Sequence, residues 1–103
     1  MCRQHKQMFY PGEICYLESR GHQTFIHLDQ KKEVCCDKLS DLEEQMGEQF
    51  VRCHQSFLVN MKYIRRIEKE SLILENGKRI PISKKRDLET KERYFLHLER
   101  KKT

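Results

Sequence analysis

The sequence has no long apolar run. Its longest uninterrupted apolar stretches are a few residues, far short of the roughly 20 that a membrane-crossing helix takes. The opening MCRQHKQMFY lacks the apolar stretch of a secretory signal. Internal repeats and low-complexity tracts are also missing. So are the commonest marks of catalysis: a Gly-rich phosphate loop, a pair of carboxylates set for acid–base work, and His and Cys at metal-binding spacing. These absences argue against a membrane protein and against an enzyme, and no metal or cofactor is expected. The best remaining catalytic pair is Cys53-His54, but consecutive strand side chains point to opposite faces, a poor geometry for a nucleophile and its base. Zinc would need Cys35, Cys36 and Cys53 to converge with His22 or His27, and nothing in their spacing demands it.

What is present suits one small folded domain. A length of 103 residues supports one modest core. Hydrophobic residues make up 37% and charged residues 36%, so the core is economical and the surface densely charged. Five cysteines, Cys2, Cys15, Cys35, Cys36 and Cys53, form an odd set without a secretory signal, which points to a reducing compartment and to a cytoplasmic protein. Vicinal Cys35-Cys36 reads as two strand positions, one of them buried, because neighbouring cysteines rarely bridge without strain.

The formal charge of +5 is unevenly distributed. Residues 1–50 hold 6 Lys+Arg against 9 Asp+Glu, a net of −3, and residues 51–103 hold 15 against 7, a net of +8. A basic half on a folded domain fits a polyanion, because each Lys or Arg brought to a phosphate releases condensed counterions. A merely solvated basic face is the competing reading.

Along the chain, Pro11-Gly12 marks a turn between a leader or linker remnant, residues 1–12, and a domain spanning 13–103. Glu13 to Glu18 and Gln23 to Leu28 are rich in strand formers around the turn chemistry of Ser19-Arg20-Gly21, a predicted hairpin. Glu33 to Cys36 is a short strand able to pair back onto it. Leu39, Leu42 and Met46 fall at helical spacing, with Asp37 or Ser40 available as cap and Gly47 as terminator. Phe50 to Asn60 and Tyr63 to Ile67 read as two further strands. Ser71 to Glu75, Asn76-Gly77 and Lys78 to Ile82 predict a hairpin, because Asn-Gly suits the positive φ angles of a tight turn. Pro81 lacks a ladder donor and is expected on an edge strand or at a strand's exit. Ser83 is placed to cap a final helix carrying Leu88, Tyr94, Phe95 and Leu98, whose last residues are expected to fray. The fold class is therefore mostly β, with one short internal helix and a C-terminal helix.

Phe50-Val51-Arg52-Cys53-His54-Gln55-Ser56-Phe57-Leu58-Val59-Asn60 mixes the apolar side chains of a strand with polar and basic ones in a short span. Taken with Ile14-Cys15-Tyr16-Leu17-Glu18-Ser19 upstream, and with Asn76-Gly77 running into Ile80-Pro81-Ile82-Ser83 downstream, it resembles the LytTR family of bacterial DNA-binding domains, over roughly Glu13 to Tyr94. The resemblance implies an elongated fold of antiparallel sheets that sends loops into successive major grooves of double-stranded DNA. It also implies a place as the output domain of a two-component response regulator, repeated target sites and a second copy on DNA. Carried over by position, the base-reading residues are His22, Gln55 and Lys85, each in a different loop. Gln can contact adenine N6 and N7 together, Lys can donate to guanine, and a His edge can donate or accept. Some members carry Asn in place of Gln55 and Arg in place of Lys85, a difference that bears on base preference, and Arg86 is able to substitute for Lys85. Cys53 matches a cysteine that in some relatives pairs with one near the present Ile80; no cysteine stands there. Arg20, Arg52, Lys62, Arg65, Lys84 and Arg86 are candidate phosphate contacts, which hold register without reading sequence. A helix N-terminus near Ser83 is either a further phosphate donor or an ordinary cap.

Without the resemblance, His22 reads as an exposed hairpin residue, Gln55 as a surface strand residue and Lys85 as part of a solvated helix start. The main rival to DNA binding is a small β domain that binds an acidic protein partner through an exposed edge such as the Pro81 strand. A thiol enzyme comes third.

Overall fold

Hairpin chemistry builds most of the molecule. A computed structural model describes residues 11–101; the first ten residues of the expected leader, and the last two of the chain end expected to fray, lie outside them. A 3-10 turn, Pro11–Glu13, leads into strands β1 (Ile14–Arg20), β2 (Gln23–Leu28) and β3 (Lys32–Cys35), then helix α1 (Leu39–Met46), then β4 (Phe50–His54) and β5 (Phe57–Asn60). After a second 3-10 turn come β6 (Ile64–Glu68), β7 (Ser71–Leu74) and β8 (Arg79–Pro81), a third 3-10 turn at Lys84–Arg86, and helix α2 (Asp87–Lys101). The strands form two antiparallel sheets, β3-β2-β1-β5-β4 and β6-β7-β8.

The five-stranded sheet lies between two cores, which is why its central strand opens with four consecutive buried residues, Ile14 to Leu17. Ile14, Leu17, Ile26, Phe50 and Leu58 pack with Leu39, Leu42 and Met46 of α1. Tyr16, Val51, Cys53 and Val59 pack with Leu72, Leu74 and Ile80 of the smaller sheet, with Ile82 just after it and with Tyr94 of α2. A register irregularity between Ile14 and Tyr16 lets both Cys15 and Tyr16 join this second core. Each fully buried Leu, Ile or Val contributes about 1.5–3 kcal/mol, so the two clusters hold the sheet from both sides. Buried Asn60 links the elements through backbone, as a polar group without water must: its amide donates to the Ile14 carbonyl at 3.0 Å, and its carbonyl oxygen accepts from the Lys62 N–H at 3.1 Å.

The structure corrects four local expectations. The predicted strand from Phe50 to Asn60 is two strands, folded back at Gln55-Ser56 so that His54 pairs with Phe57. The N-cap of helix α1 is Lys38, which makes no side-chain cap bond, instead of Asp37 or Ser40; the Asp37 carbonyl accepts from the Thr24 hydroxyl at 2.7 Å. The Asn76-Gly77 hairpin has a three-residue loop in which Gly77 alone takes a positive φ, +89°. The Gly77 N–H donates to the Leu74 carbonyl and the Leu74 N–H to the Lys78 carbonyl, each at 2.9 Å, as expected of a turn closed by a glycine bulge. Ser83 opens a 3-10 turn without a side-chain cap bond, and α2 starts only at Asp87. Other expectations hold: β3 pairs back onto β2, and Pro81 lies on the edge strand β8.

Candidate nucleic-acid interface

Antiparallel pairing sends the β1–β2 and β4–β5 turns to the same end of the larger sheet, because β1 and β5 are neighbours and run in opposite directions. In the first turn Arg20 pairs with Gln23, leaving Gly21 and His22 as the two loop residues. Gly21 has φ +57°, the glycine-first arrangement of a tight hairpin turn, and it leaves His22 exposed at the tip.

The second turn contains no Gly, Pro, Asn or Asp, so side chains must hold it. The Arg52 guanidinium donates to the His54 carbonyl at 3.1 Å, to the Gln55 carbonyl at 2.6 Å and to Glu43 Oε1 at 3.0 Å. His54 Nδ1 accepts the Ser56 N–H at 3.0 Å. Its ring therefore works as a turn cap, with the proton of the neutral imidazole on Nε2. Gln55 stays exposed at the tip.

Two backbone bonds tie these turns to their neighbours. The Ser19 N–H donates to the Ser56 carbonyl at 2.8 Å, joining the first turn to the second. The Ser83 N–H donates to the Cys53 carbonyl at 2.9 Å, joining the second to the 3-10 turn that exposes Lys84 and Lys85. The structure thus brings the loops of His22, Gln55 and Lys85 together at one end. His22 and Gln55 also share a cleft of about 530 Å³ with Gln23, Cys36, Lys38 and Arg52.

The basic candidates divide. Arg20, Arg52, Lys84 and Arg86 belong to the three loops or the strands that carry them. Arg20 is exposed beside Glu18 at 3.3 Å, whereas Arg52 is largely covered and engaged within the protein. Lys62 stands at the opposite end of β5, 5.4 Å over the Tyr63 ring, in a hollow with Gly12 and Asp29. Arg65 is exposed on an irregularity of β6 in the smaller sheet. Sequence reasoning missed Lys38 and Lys69. Lys38 reaches the His22–Gln55 cleft because the Thr24–Asp37 bond draws the start of α1 there, a tertiary contact without a sequence signal. Lys69 is exposed in the β6–β7 turn, whose Glu70 carbonyl accepts the Ile82 N–H at 2.9 Å, just before the third loop.

Cys53 and His54 point apart. The Cys53 thiol is buried, 3.5 Å from the Pro81 carbonyl, and burial pushes its pKa up to about 12 although Arg86 and Arg52 pull it down. Such a thiol is protonated at neutral pH and is a poor nucleophile. No group of three or more His, Cys, Asp or Glu among the described residues is arranged to hold a metal ion.

The geometry is that of a domain presenting three loops from one end of a sheet, and comparison supplies its kind. The family model for the LytTr DNA-binding domain matches residues 7–99. The chain belongs to the LytTR family of DNA-binding domains. A solved structure agrees: the LytTr DNA-binding domain of a protein from Bacillus cereus described as a methyl-accepting/DNA response regulator superposes with a TM-score of 0.74. It is 25% identical, over 81% of this chain and 82% of that one. No curated protein sequence matches the chain. This LytTR domain is accordingly a binder of DNA, in a family defined by binding and not by catalysis. No helix among its described residues is long and apolar enough to cross a membrane.

Proposed function

We propose that this LytTR domain reads double-stranded DNA sequence-specifically as the output domain of a two-component response regulator. In this reading its three loops enter successive major grooves. The observation that carries it is the hydrogen-bonded union of the three loops at one end, with His22, Gln55 and Lys85 exposed on them. His22, Gln55 and Lys85 read base edges, while Arg20, Lys84 and Arg86 hold phosphates and fix the register. Arg52 orients Gln55 through the turn backbone and adds positive potential, and Lys38 adds charge to the cleft between the first two loops. Lys62 and Arg65 contact phosphate where DNA continues along the sheets beyond the loop end. A receiver domain upstream, repeated sites and a second copy on the same duplex complete the regulator.

The test is selection of binders from a random duplex DNA pool at near-physiological salt, followed by sequencing. A recurring motif, repeated at a fixed helical spacing, is the expected result. Recovery of sequences without any common motif would leave only charge-driven binding and overturn the proposal.

A further inference from the structure

The second half of the chain is basic, but the outer face of α2 is not. Leu88, Glu92, Phe95 and Glu99 follow one another at i, i+4, i+7 and i+11, forming one stripe on the side of the helix away from buried Thr90 and Tyr94. Glu89 and Leu96 lie along its margin. Leu88, Phe95 and Leu96 are 69%, 58% and 53% exposed, and they are the large hydrophobic side chains left exposed among the described residues. Single exposed apolar residues need no explanation, but three gathered on one flank of one helix make a patch.

The charges around this patch identify what covers it. Glu89, Glu92 and Glu99 are all exposed, and no ion pair among the described residues engages them. Three of the four cations on the same helix are already occupied: Lys91 pairs with Asp87 at 3.2 Å, Arg93 donates to the Glu48 carbonyl at 2.8 Å, and Arg100 pairs with the Glu48 carboxylate at 3.3 Å. The fourth, Lys101, falls on the side of the helix opposite the stripe, in line with Thr90 and Tyr94. An acidic stripe repels DNA phosphates and anionic lipid surfaces. Two copies of it would also repel, because glutamates make up half of the stripe and like charges across a helix seam destabilise. The complementary surface is apolar at its centre and cationic at its rim.

We propose that the outer face of α2 docks a partner protein through an amphipathic helix whose apolar stripe is flanked by Lys or Arg. Leu88, Phe95 and Leu96 cover the partner's apolar stripe, and Glu92 and Glu99 meet its cations. From Leu88 to Glu99 the surface runs about 16 Å along the helix, close to the length of a short recognition helix. It uses none of the three loops, so the domain can hold DNA and partner together, and it stands whether or not the DNA reading does.

The experiment titrates the full chain, isotopically labelled for NMR, with two synthetic amphipathic helical peptides, one of Leu and Lys and one of Leu and Glu. The Leu/Lys peptide is expected to shift the amides of Leu88 to Glu99 and to spare His22 and Gln55. Non-specific attraction does not explain such binding, because the chain carries a formal charge of +5. The double variant E92K/E99K should weaken that peptide by about tenfold or more and gain affinity for the Leu/Glu peptide, with unchanged circular dichroism. F95S should weaken both. Equal response to the two peptides, shifts mapping outside α2, or indifference to charge reversal would overturn the proposal. So would concentration-dependent self-association removed by F95S, which would make the occupant a second copy. DNA selection by the same variants separates the two readings: DNA binding retained in E92K/E99K with peptide binding lost places the partner surface apart from the DNA surface.

Discussion

Because Arg52 holds the carbonyls of both His54 and Gln55 and is itself tied to Glu43, the Gln55 side chain leaves the sheet from a fixed backbone. That separates two kinds of contribution. Removing the Gln55 side chain at Cβ breaks no bond that holds the fold, so Gln55→Ala should leave thermal stability unchanged while relaxing base preference at one site position, at a cost of about 1–3 kcal/mol on the preferred DNA. Arg52→Ala removes three charge-assisted bonds and should lower stability by about 1.5–3 kcal/mol, as read by denaturant unfolding, and should weaken DNA binding through the loosened turn. If Gln55→Ala leaves preference intact, Gln55 is a surface residue only. A second residue-scale consequence concerns Cys53. Its thiol titrates at about 12 in the fold, against an ordinary value of 9.0, so the unfolded chain loses that proton first as pH rises. Stability is complete below pH 9 and should fall above it by up to about 1.4 kcal/mol per pH unit, until the folded thiol ionises as well. Cys15 is also raised by burial and acts in the same direction. Unfolding free energies measured between pH 9 and 10 should slope less steeply in Cys53→Ala than in the parent; equal slopes would mean that the thiol is not buried in solution.

At the scale of elements, legibility depended on whether a turn carries its own chemistry. Gly21 and Asn76-Gly77 announce their hairpins because a positive φ favours glycine, and the alternation on either side fixes the strands. Gln55-Ser56 announces nothing: its turn is held by Arg52 and His54, and its strands read as one run because Phe50, Val51, Phe57, Leu58 and Val59 are all apolar. The start of α1 is hidden for a similar reason, since its N-cap Lys38 makes no side-chain cap bond. The three loop residues entered through family resemblance. The bonds from Ser19 to Ser56 and from Ser83 to Cys53, which gather their loops, are backbone contacts that no side chain advertises. Gly21 and Gly77 give this a test. Both have positive φ with open space around a notional Cβ, so Gly21→Ala and Gly77→Ala should each cost about 1–2 kcal/mol of stability from backbone strain alone. Only Gly21→Ala should also impair DNA binding, because it distorts the turn that presents His22. Equal losses of DNA binding in the two variants would mean that the loop end has no special role.

For the whole molecule, the split between an acidic first half and a basic second half points to a polyanion but does not map onto the loop end proposed to meet it. The loop end draws Arg20, His22 and Lys38 from the acidic half and Lys84, Lys85 and Arg86 from the basic half, while basic Lys62 stands at the far end of β5 and the acidic stripe of α2 interrupts the basic half. Sequence order cannot express this, because strand pairing sets β1 beside β5 and a backbone bond from Ser83 to Cys53 brings in the segment after β8. The salt dependence of DNA binding distinguishes a localised footprint from a diffuse positive field. Each phosphate neutralised contributes about 0.9 to the slope of log affinity against log salt, so a double variant K84A/R86A should flatten the slope by about 1.8 if both residues touch phosphate. Lys62→Ala removes one of the same charges at the far end. On a short duplex spanning only the loop end it should leave the slope unchanged, and on DNA extended along the sheets it should flatten it by about 0.9. If K84A/R86A and Lys62→Ala flatten the slope equally per charge on both duplexes, binding follows total charge, and the loop end loses its claim to be where DNA sits.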